Sequence, residues 1–144
     1  MSFTVTFIGH NDCYGLTYEQ LYFSIQNLIQ DGAVCFLSGG LGTFDHMAAR
    51  AVYHLKQIYP QIQNQLIIPY LSFHIYETKY FDEIIFPEQL EICPYRAAIP
   101  KHNRYMVDHA DCALCYVTHS WGGAAKTYHY AVHKGLRIIN LSSS

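Results

Sequence analysis

The chain has 144 residues, of which 51% are hydrophobic and 14% are charged. This composition excludes a disordered or fibrous protein and is typical of one globular domain that is large enough to bury a core. The formal net charge is only −2 and the sequence has no basic block. A large electrostatic footprint for nucleic acid is therefore missing, and a nucleic-acid partner is not expected.

The first half of the chain alternates predicted strands and helices. Residues 3–9 alternate apolar side chains with threonines, which predicts a strand. Thr17 and Gln20 form a capping box that starts a helix, and Gly32 suits the position just after its end. The continuous apolar run at residues 33–37 predicts a strand that is covered on both faces.

A second helix follows a glycine-rich turn. Apolar residues at helical spacing run from Phe44 to Ile58, and Pro60 ends this helix. Residues 66–69 supply a third predicted strand. Residues 70–95 show no clean period, so we expect only a short helix there that covers part of the sheet, and their role stays open.

The last third of the chain returns to a regular pattern. Pro100 is expected in the first turn of a helix, and residues 112–117 form a nearly all-apolar strand. A second glycine-bearing turn at residues 120–124 leads into a helix that Gly135 ends, and residues 136–141 form the last strand. The alternation predicts an α/β fold: a single Rossmann-like three-layer α/β/α domain over residues 1–144 with a mainly parallel sheet.

The cysteines indicate a reduced, cytoplasmic protein. Five cysteines are an odd number, and three lie in strongly apolar runs. Cys112 and Cys115 have CxxC spacing, but residues three apart on a strand point to opposite faces, so no metal site is expected there. His129 and His133 are four apart on a helix without a third ligand. No signal peptide or membrane-spanning segment is recognisable, so no membrane partner is expected.

Two glycine-bearing turns between a strand and a helix mark the expected ligand site. The first spans residues 38–45, and the second contains Gly122 and Gly123. Such turns present unpaired N–H groups and the positive end of a helix dipole, which favour a phosphate or a carboxylate. In a parallel sheet both turns lie at the carboxyl edge, near the loop after Gly9. The alternative is tight turns without a ligand.

Four motifs in this order resemble one known superfamily. They are Phe7-Ile8-Gly9-His10, Ser38-Gly39-Gly40-Leu41-Gly42-Thr43-Phe44-Asp45, the stretch from Asn103 to Asp108, and Gly122-Gly123. The set is similar to the SLOG superfamily, the Rossmann-like fold shared by Smf/DprA proteins, LOG phosphoribohydrolases and YpsA-like proteins. The resemblance covers nearly the whole chain. It implies binding of a nucleotide-derived ligand and, in some members, cleavage of its base–ribose bond.

The chain departs from the LOG pattern at positions that matter. LOG enzymes have a Pro-Gly-Gly-x-Gly-Thr-x-x-Glu motif, in which the glutamate serves hydrolysis. Here His46 stands at the glutamate position, Ser38 replaces the proline, and Ala124 stands where the late turn often has a threonine. A neutral imidazole cannot stabilise an oxocarbenium-like centre as a carboxylate does, which argues against LOG-type hydrolysis. Asp45 is the candidate substitute.

The resemblance implies a set of ligand-binding residues. Arg104 would neutralise a phosphate, or alternatively pair with Asp108 on the surface. Asp45 would bind a ribose hydroxyl, or alternatively serve only as a first-turn carboxylate. The expected binding residues are Gly9, His10, Ser38, Gly39, Gly40, Gly42, Thr43, Asp45, Asn103, Arg104, Gly122 and Gly123.

The leading functional hypothesis is a module that binds a nucleotide or an ADP-ribose-like molecule, as a sensor would, without a further cofactor. The alternative is a nucleoside 5′-monophosphate N-glycosidase or a deoxyribosyltransferase-like enzyme in which Asp45 assists departure of the base. Binding of single-stranded DNA, as in Smf/DprA, is disfavoured by the near-neutral charge. Thirteen tyrosines and eight phenylalanines exceed what a core usually needs, which suits a pocket or a homo-oligomer interface.

Overall fold

The computed structural model describes residues 1–142. Within them one parallel sheet has the strand order β4-β3-β2-β1-β5-β6. The strands are β1 (Phe3–Gly9), β2 (Ala33–Ser38), β3 (Gln63–Ile67), β4 (Glu83–Ile85), β5 (Cys112–Tyr116) and β6 (Arg137–Asn140). The helices are α1 (Tyr18–Asp31), α2 (Thr43–Lys56), α3 (Tyr95–Asp108) and α4 (Gly123–His133). The predicted Rossmann-like α/β architecture is confirmed.

Side-chain alternation along β1 explains the three layers. Val5 and Phe7 belong to the larger core cluster, which includes the apolar faces of α1 and α2. Ile8 points the other way and packs with Val107 of α3 and Ala131 of α4. The chain reverses its direction across the sheet between β1 and β5, so the carboxyl ends of these two strands border a crevice.

The local signals for α1 are confirmed. The Thr17 side chain accepts a hydrogen bond from the Gln20 N–H at 3.1 Å, and the Gln20 side chain accepts one from the Thr17 N–H at 2.9 Å. Gly32 follows the helix with φ +121°. Cys112 and Cys115 lie in the core clusters on opposite faces of the sheet, as the strand geometry predicts.

The third strand begins three residues before the predicted start. β3 begins at Gln63 and includes Asn64, a fully buried polar residue in the middle of the sheet. The Asn64 side-chain amide donates hydrogen bonds to the carbonyl oxygens of Ala49 at 3.1 Å and Tyr80 at 2.7 Å. These bonds offset the cost of burying the NH₂ group of the amide, whereas its Oδ1 has no hydrogen-bond partner among residues 1–142.

The segment at residues 70–95 adds an edge strand that the sequence did not predict. The expected short helix is present as two single 3₁₀ turns, Thr78–Tyr80 and Glu88–Leu90, on either side of β4. β4 has only three residues and pairs with β3. This strand is too short to produce a recognisable alternation.

The third helix begins five residues before the predicted start. Pro94 precedes it with φ −59°, and Pro100 lies inside the helix rather than in its first turn. The missing Pro100 N–H leaves the carbonyl of Arg96 without its usual helical donor. The four helices of the described residues contain at most 14 residues, and none is long and apolar enough to cross a membrane.

Candidate functional site

A cavity of about 450 Å³ lies at the carboxyl edge of the sheet. Its volume falls within the usual range for small-molecule sites, roughly 300–1,000 Å³. Its walls come from β1, the loops after β1, β2 and β5, and one side of α3. The lining residues are Thr6, Phe7, Ile8, Gly9, His10, Asn11, Asp12, Leu41, Gly42, Asp45, Ile99, Asn103, Met106, His119, Gly122, Gly123, Ala124 and Thr127. The three loops therefore meet around one space.

Close packing at two glycines holds the first two loops together. A Cβ atom on Gly9 would overlap the Phe44 ring, and a Cβ atom on Gly42 would overlap the Asn11 side chain. The first contact lets the start of α2 approach β1, and the second joins the loop after β1 to the turn before α2. The absent side chains thus have a packing function in addition to any exposure of backbone to a ligand.

The N-terminus of α4 presents open backbone in the cavity wall. Gly122 caps the helix with φ +92°, a conformation that favours glycine, and the cap makes no side-chain hydrogen bond. A Cβ atom on Gly122 or Gly123 would meet nothing within 4 Å. The first turn has no acidic residue. This helix end therefore offers N–H donors and a positive dipole end to an anion.

Asp45 places a carboxylate in the wall at the start of α2. Its Oδ2 accepts a hydrogen bond from the Leu41 N–H at 3.1 Å. Burial raises the pKa of Asp45 to about 6, and the hydrogen bond opposes that rise. The side chain therefore carries a proton more readily near neutral pH than an exposed aspartate does.

Three aromatic rings form a column beside the cavity. The His10 and His119 rings stack with centroids 3.7 Å apart and planes 12° apart. The His119 and Trp121 rings stack at 3.9 Å and 18°. His119 therefore lies in the middle, and 69% of Trp121 is exposed at the outer end.

His10 ties the loop after β5 to β1. Its Nε2 accepts a hydrogen bond from the Thr118 N–H at 3.0 Å, which places the ring proton on Nδ1. Burial lowers the pKa of His10, and the neighbouring His119 lowers it further, while Asp12 has the opposite effect. The His10 ring is therefore neutral at neutral pH, and its role here is to hold the loop rather than to supply positive charge.

His102 positions Asn103 in the cavity wall. Nε2 of the fully buried His102 ring bonds the Ile67 carbonyl oxygen, and its Nδ1 lies 3.0 Å from Oδ1 of Asn103. Burial is the largest influence on the His102 pKa and lowers it, so the ring is neutral, and Nδ1 can only accept. This favours the rotated Asn103 amide, whose NH₂ group donates to His102 and whose carbonyl oxygen is then free of that contact.

The structure brings seven of the twelve predicted binding residues into the wall and places five outside it. Ser38 is fully buried at the end of β2, and its hydroxyl has no hydrogen-bond partner among residues 1–142. A Cβ atom on Gly39 would press against His102, and Gly40 turns the chain with φ +66°. Thr43 and Arg104 are exposed at the start of α2 and on α3. The residues in the wall are Gly9, His10, Gly42, Asp45, Asn103, Gly122 and Gly123.

Arg104 and Asp108 form no ion pair within residues 1–142, and Asp108 has other partners. Asp108 accepts a hydrogen bond from the Tyr130 hydroxyl at 2.7 Å and lies 3.6 Å from the Lys134 ammonium. Both partners come from α4 or the residue after it, so Asp108 joins α3 to α4. The phosphate role of Arg104 stays a prediction.

Sequence reasoning missed the ring column and the two apolar residues that α3 adds to the cavity wall. His119 joins His10 across 109 positions of the chain, and no local pattern signals such a pair. Ile99 and Met106 of α3 also line the cavity. His46, at the position of the LOG glutamate, stacks on Tyr76 with centroids 4.8 Å apart and faces a second, small apolar cavity.

The charges in the wall limit the chemistry of the cavity. Within the described chain, the wall has the carboxylates of Asp12 and Asp45 and no lysine or arginine. Residues 1–142 contain no group of three or more His, Cys, Asp or Glu side chains arranged to hold a metal ion. The electropositive parts of the wall are thus the N-termini of α2 and α4, of which only α4 has no acidic residue in its first turn.

Comparison with known proteins identifies the family. DNA processing protein A from Helicobacter pylori, described for its single-stranded DNA binding mode, has a similar structure, with a TM-score of 0.66 and 16% identity over 94% of this chain and 63% of that one. The Streptococcus pneumoniae protein has a TM-score of 0.54 and 13% identity over 96% and 59%. The chain thus spans less than two thirds of either protein, and these likenesses show the fold alone. No curated protein sequence matches. A family model described as YspA SLOG family matches residues 6–137, and the chain belongs to this family.

Proposed function

We propose that this protein binds a nucleotide or a nucleotide-derived molecule, such as an ADP-ribose-like ligand, in the cavity at the carboxyl edge of the sheet. The observation that carries the proposal is the meeting of three strand-to-helix loops around one cavity of about 450 Å³, with an uncapped helix end in its wall. Loops of this kind at the switch point of a parallel sheet are the usual place for such ligands.

The ligand phosphate lies at the N-terminus of α4 rather than that of α2. Both helix ends border the cavity, but the first turn of α2 contains the Asp45 carboxylate, which repels an anion when it is ionised. The first turn of α4 has no acidic side chain, and open space surrounds Gly122 and Gly123. Electrostatics therefore favours α4.

The ribose lies on the opposite side, against Asp45 and Asn103. Each side chain offers an oxygen to the cavity, and ribose hydroxyls are donors that suit such acceptors. Arg104 lies beside Asn103 on the exposed part of α3, where it meets a phosphate group that extends beyond the cavity.

The wall charge favours a ligand with few phosphates. Two carboxylates in the wall disfavour a triphosphate or a polynucleotide, and the formal net charge of −2 adds to this preference. Single-stranded DNA is the partner named for the Helicobacter pylori protein, so we include it as a competing ligand in the test.

A second candidate is hydrolysis of the base–ribose bond, which the raised pKa of Asp45 favours. A protonated Asp45 would give its proton to the departing base nitrogen as the C1′–N bond breaks. Water would add its oxygen to C1′ and return a proton to the carboxylate. The products are the free base and ribose 5-phosphate, and Asp45 is regenerated.

A thermal-shift series with ribose 5-phosphate, AMP, ADP-ribose and an oligo(dT) tests the proposal. We expect the melting temperature to rise with at least one of the small ligands at millimolar concentration, since binding to the folded state stabilises it. No rise with any of them contradicts the proposal. A rise with oligo(dT) alone would contradict the proposal and make DNA the ligand.

Chromatography of an AMP incubation separates binding from hydrolysis. Release of adenine that Asp45→Asn abolishes would establish the second candidate. Binding of AMP without release of adenine would show that the protein binds this nucleotide and does not hydrolyse it.

A further inference from the structure

We infer that the outer face of the Trp121 ring is a stacking platform for the aromatic base of the ligand, which makes the ligand a nucleoside phosphate rather than a sugar phosphate. The inference rests on the proposed function, because it extends the same cavity by one subsite. It assigns the base to the column that His10, His119 and Trp121 form.

The column is fixed at its inner end. His10 is 6% exposed, and its backbone N–H donates to the Tyr116 carbonyl oxygen at 3.3 Å while its Nε2 accepts from the Thr118 N–H at 3.0 Å. His119 stacks on this anchored ring, and Trp121 stacks on His119. The stack on His119 restricts the orientation of the exposed Trp121 ring, so that less rotamer entropy is lost when a ligand covers it.

The outer end of the column leaves a large apolar surface in water. Trp121 is 69% exposed although one face of its ring is covered by His119. A flat aromatic group that stacks on the other face removes apolar area from water and gains ring–ring attraction. A nucleobase is such a group, and every base has a π face for this contact.

The position of Trp121 fits a ligand with a phosphate at α4. Trp121 is two residues before Gly123, so their α carbons are at most about 7.6 Å apart. His119 and Gly122, on either side of Trp121 in the chain, both line the cavity. The backbone of Trp121 therefore lies close to the start of α4, and the inference requires one ribose to join a base on Trp121 to a phosphate there.

The chain provides its own reporter, because Trp121 is its single tryptophan. We would titrate the protein with AMP and with ribose 5-phosphate, which differ by the base, while exciting tryptophan at 295 nm. AMP is expected to quench the emission to saturation. Ribose 5-phosphate is expected to bind, as measured by calorimetry, at least about tenfold more weakly than AMP, a ratio in the range for loss of one stacked base.

Two variants and one control separate stacking from a general defect. Trp121→Ala should remove the preference for AMP over ribose 5-phosphate and leave the affinity for ribose 5-phosphate unchanged, while Trp121→Phe should retain part of the preference. Phe23→Ala, which removes an exposed aromatic side chain from α1, should leave both affinities unchanged. Because Trp121 is mostly exposed, its replacement is compatible with folding.

The outcomes distinguish this inference from the proposed function. Binding of ribose 5-phosphate with AMP no tighter, or an AMP preference that survives in Trp121→Ala, would overturn the stacking inference and leave the phosphate site standing. Binding of neither ligand would overturn both. Quenching by AMP that disappears in the presence of excess ribose 5-phosphate would support both, because the two ligands then share one site.

Discussion

Replacing Asp45 with asparagine tests whether the partly buried carboxylate in the cavity wall has a raised pKa. Asparagine keeps the shape and an oxygen that can accept from the Leu41 N–H, but it has no charge. The pKa of Asp45 is about 6 in the folded protein against an ordinary value of 3.8. At about 1.36 kcal/mol per tenfold difference in proton affinity, the ionised carboxylate costs about 3 kcal/mol of folding free energy.

The sign of the effect follows from the raised pKa. The wild-type protein has the full stability contribution of this group below pH 3.8 and loses it as the pH rises through about 6. The asparagine variant does not titrate at this position. Its free energy of unfolding, relative to wild type, should therefore increase with pH, and about 2 kcal/mol of that increase should develop between pH 4.5 and pH 8.

Urea unfolding of both proteins at pH 4.5, 6 and 8 measures this difference. Glu91→Gln is a matched control, because it removes one negative charge at an exposed position and should show no comparable pH dependence. A stability difference between Asp45→Asn and wild type that is the same at all three pH values would refute the reasoning.

Three further substitutions address the cavity wall and its turns. Gly123→Asp places a carboxylate in the first turn of α4, where the helix dipole should keep the free energy of unfolding unchanged or raise it by about 0.3–1 kcal/mol. The same carboxylate should repel the phosphate and raise the Kd for AMP at least about tenfold. Equal Kd values for Gly123→Asp and the neutral control Gly123→Asn would contradict the phosphate position. Arg104→Ala should weaken the binding of ADP-ribose, whose second phosphate extends beyond the cavity to Arg104, by about 1.5–3 kcal/mol, and an unchanged Kd in calorimetry would assign Arg104 to the surface. Gly40→Ala should lower the free energy of unfolding, measured with urea, by about 1–2 kcal/mol, because Gly40 has φ +66°. Gly123→Ala, in open space, should lower it by less. Equal decreases for the two variants would argue against the left-handed turn at Gly40.

Patterns of neighbouring residues correctly predicted the helix and the strand whose bounds depend on residues close in sequence. The capping box at Thr17 and Gln20 set the start of α1, and the alternation along β1 predicted a strand with the bounds that the structure has. The predicted start of β3 was wrong, because the polar Asn64 is buried in the sheet, where its side chain donates hydrogen bonds to Ala49 and Tyr80. Those partners are distant in sequence, so no pattern of apolar residues reveals the strand.

The site likewise has features that the sequence predicts and features that only contacts between distant residues create. The meeting of the loops follows from strand order, since the glycine-bearing turns come after β2 and β5, which both flank β1. The ring column depends on a contact between His10 and His119 that only the folded chain creates. Ser38 belongs to the glycine motif in sequence but is buried outside the cavity wall, because it is the last residue of β2 and pairs with Leu66 of β3.

An NMR titration of ¹⁵N-labelled protein with AMP tests the central claim most directly. Glycine amides at the cavity and away from it provide both signal and control within one spectrum. We predict that the amides of Gly42, Gly122 and Gly123 shift with AMP, whereas those of Gly32 and Gly135, which precede β2 and β6 at the opposite edge of the sheet, stay in place. Shifts confined to Gly32 and Gly135, or no shift at millimolar AMP, ADP-ribose and ribose 5-phosphate, would contradict the account.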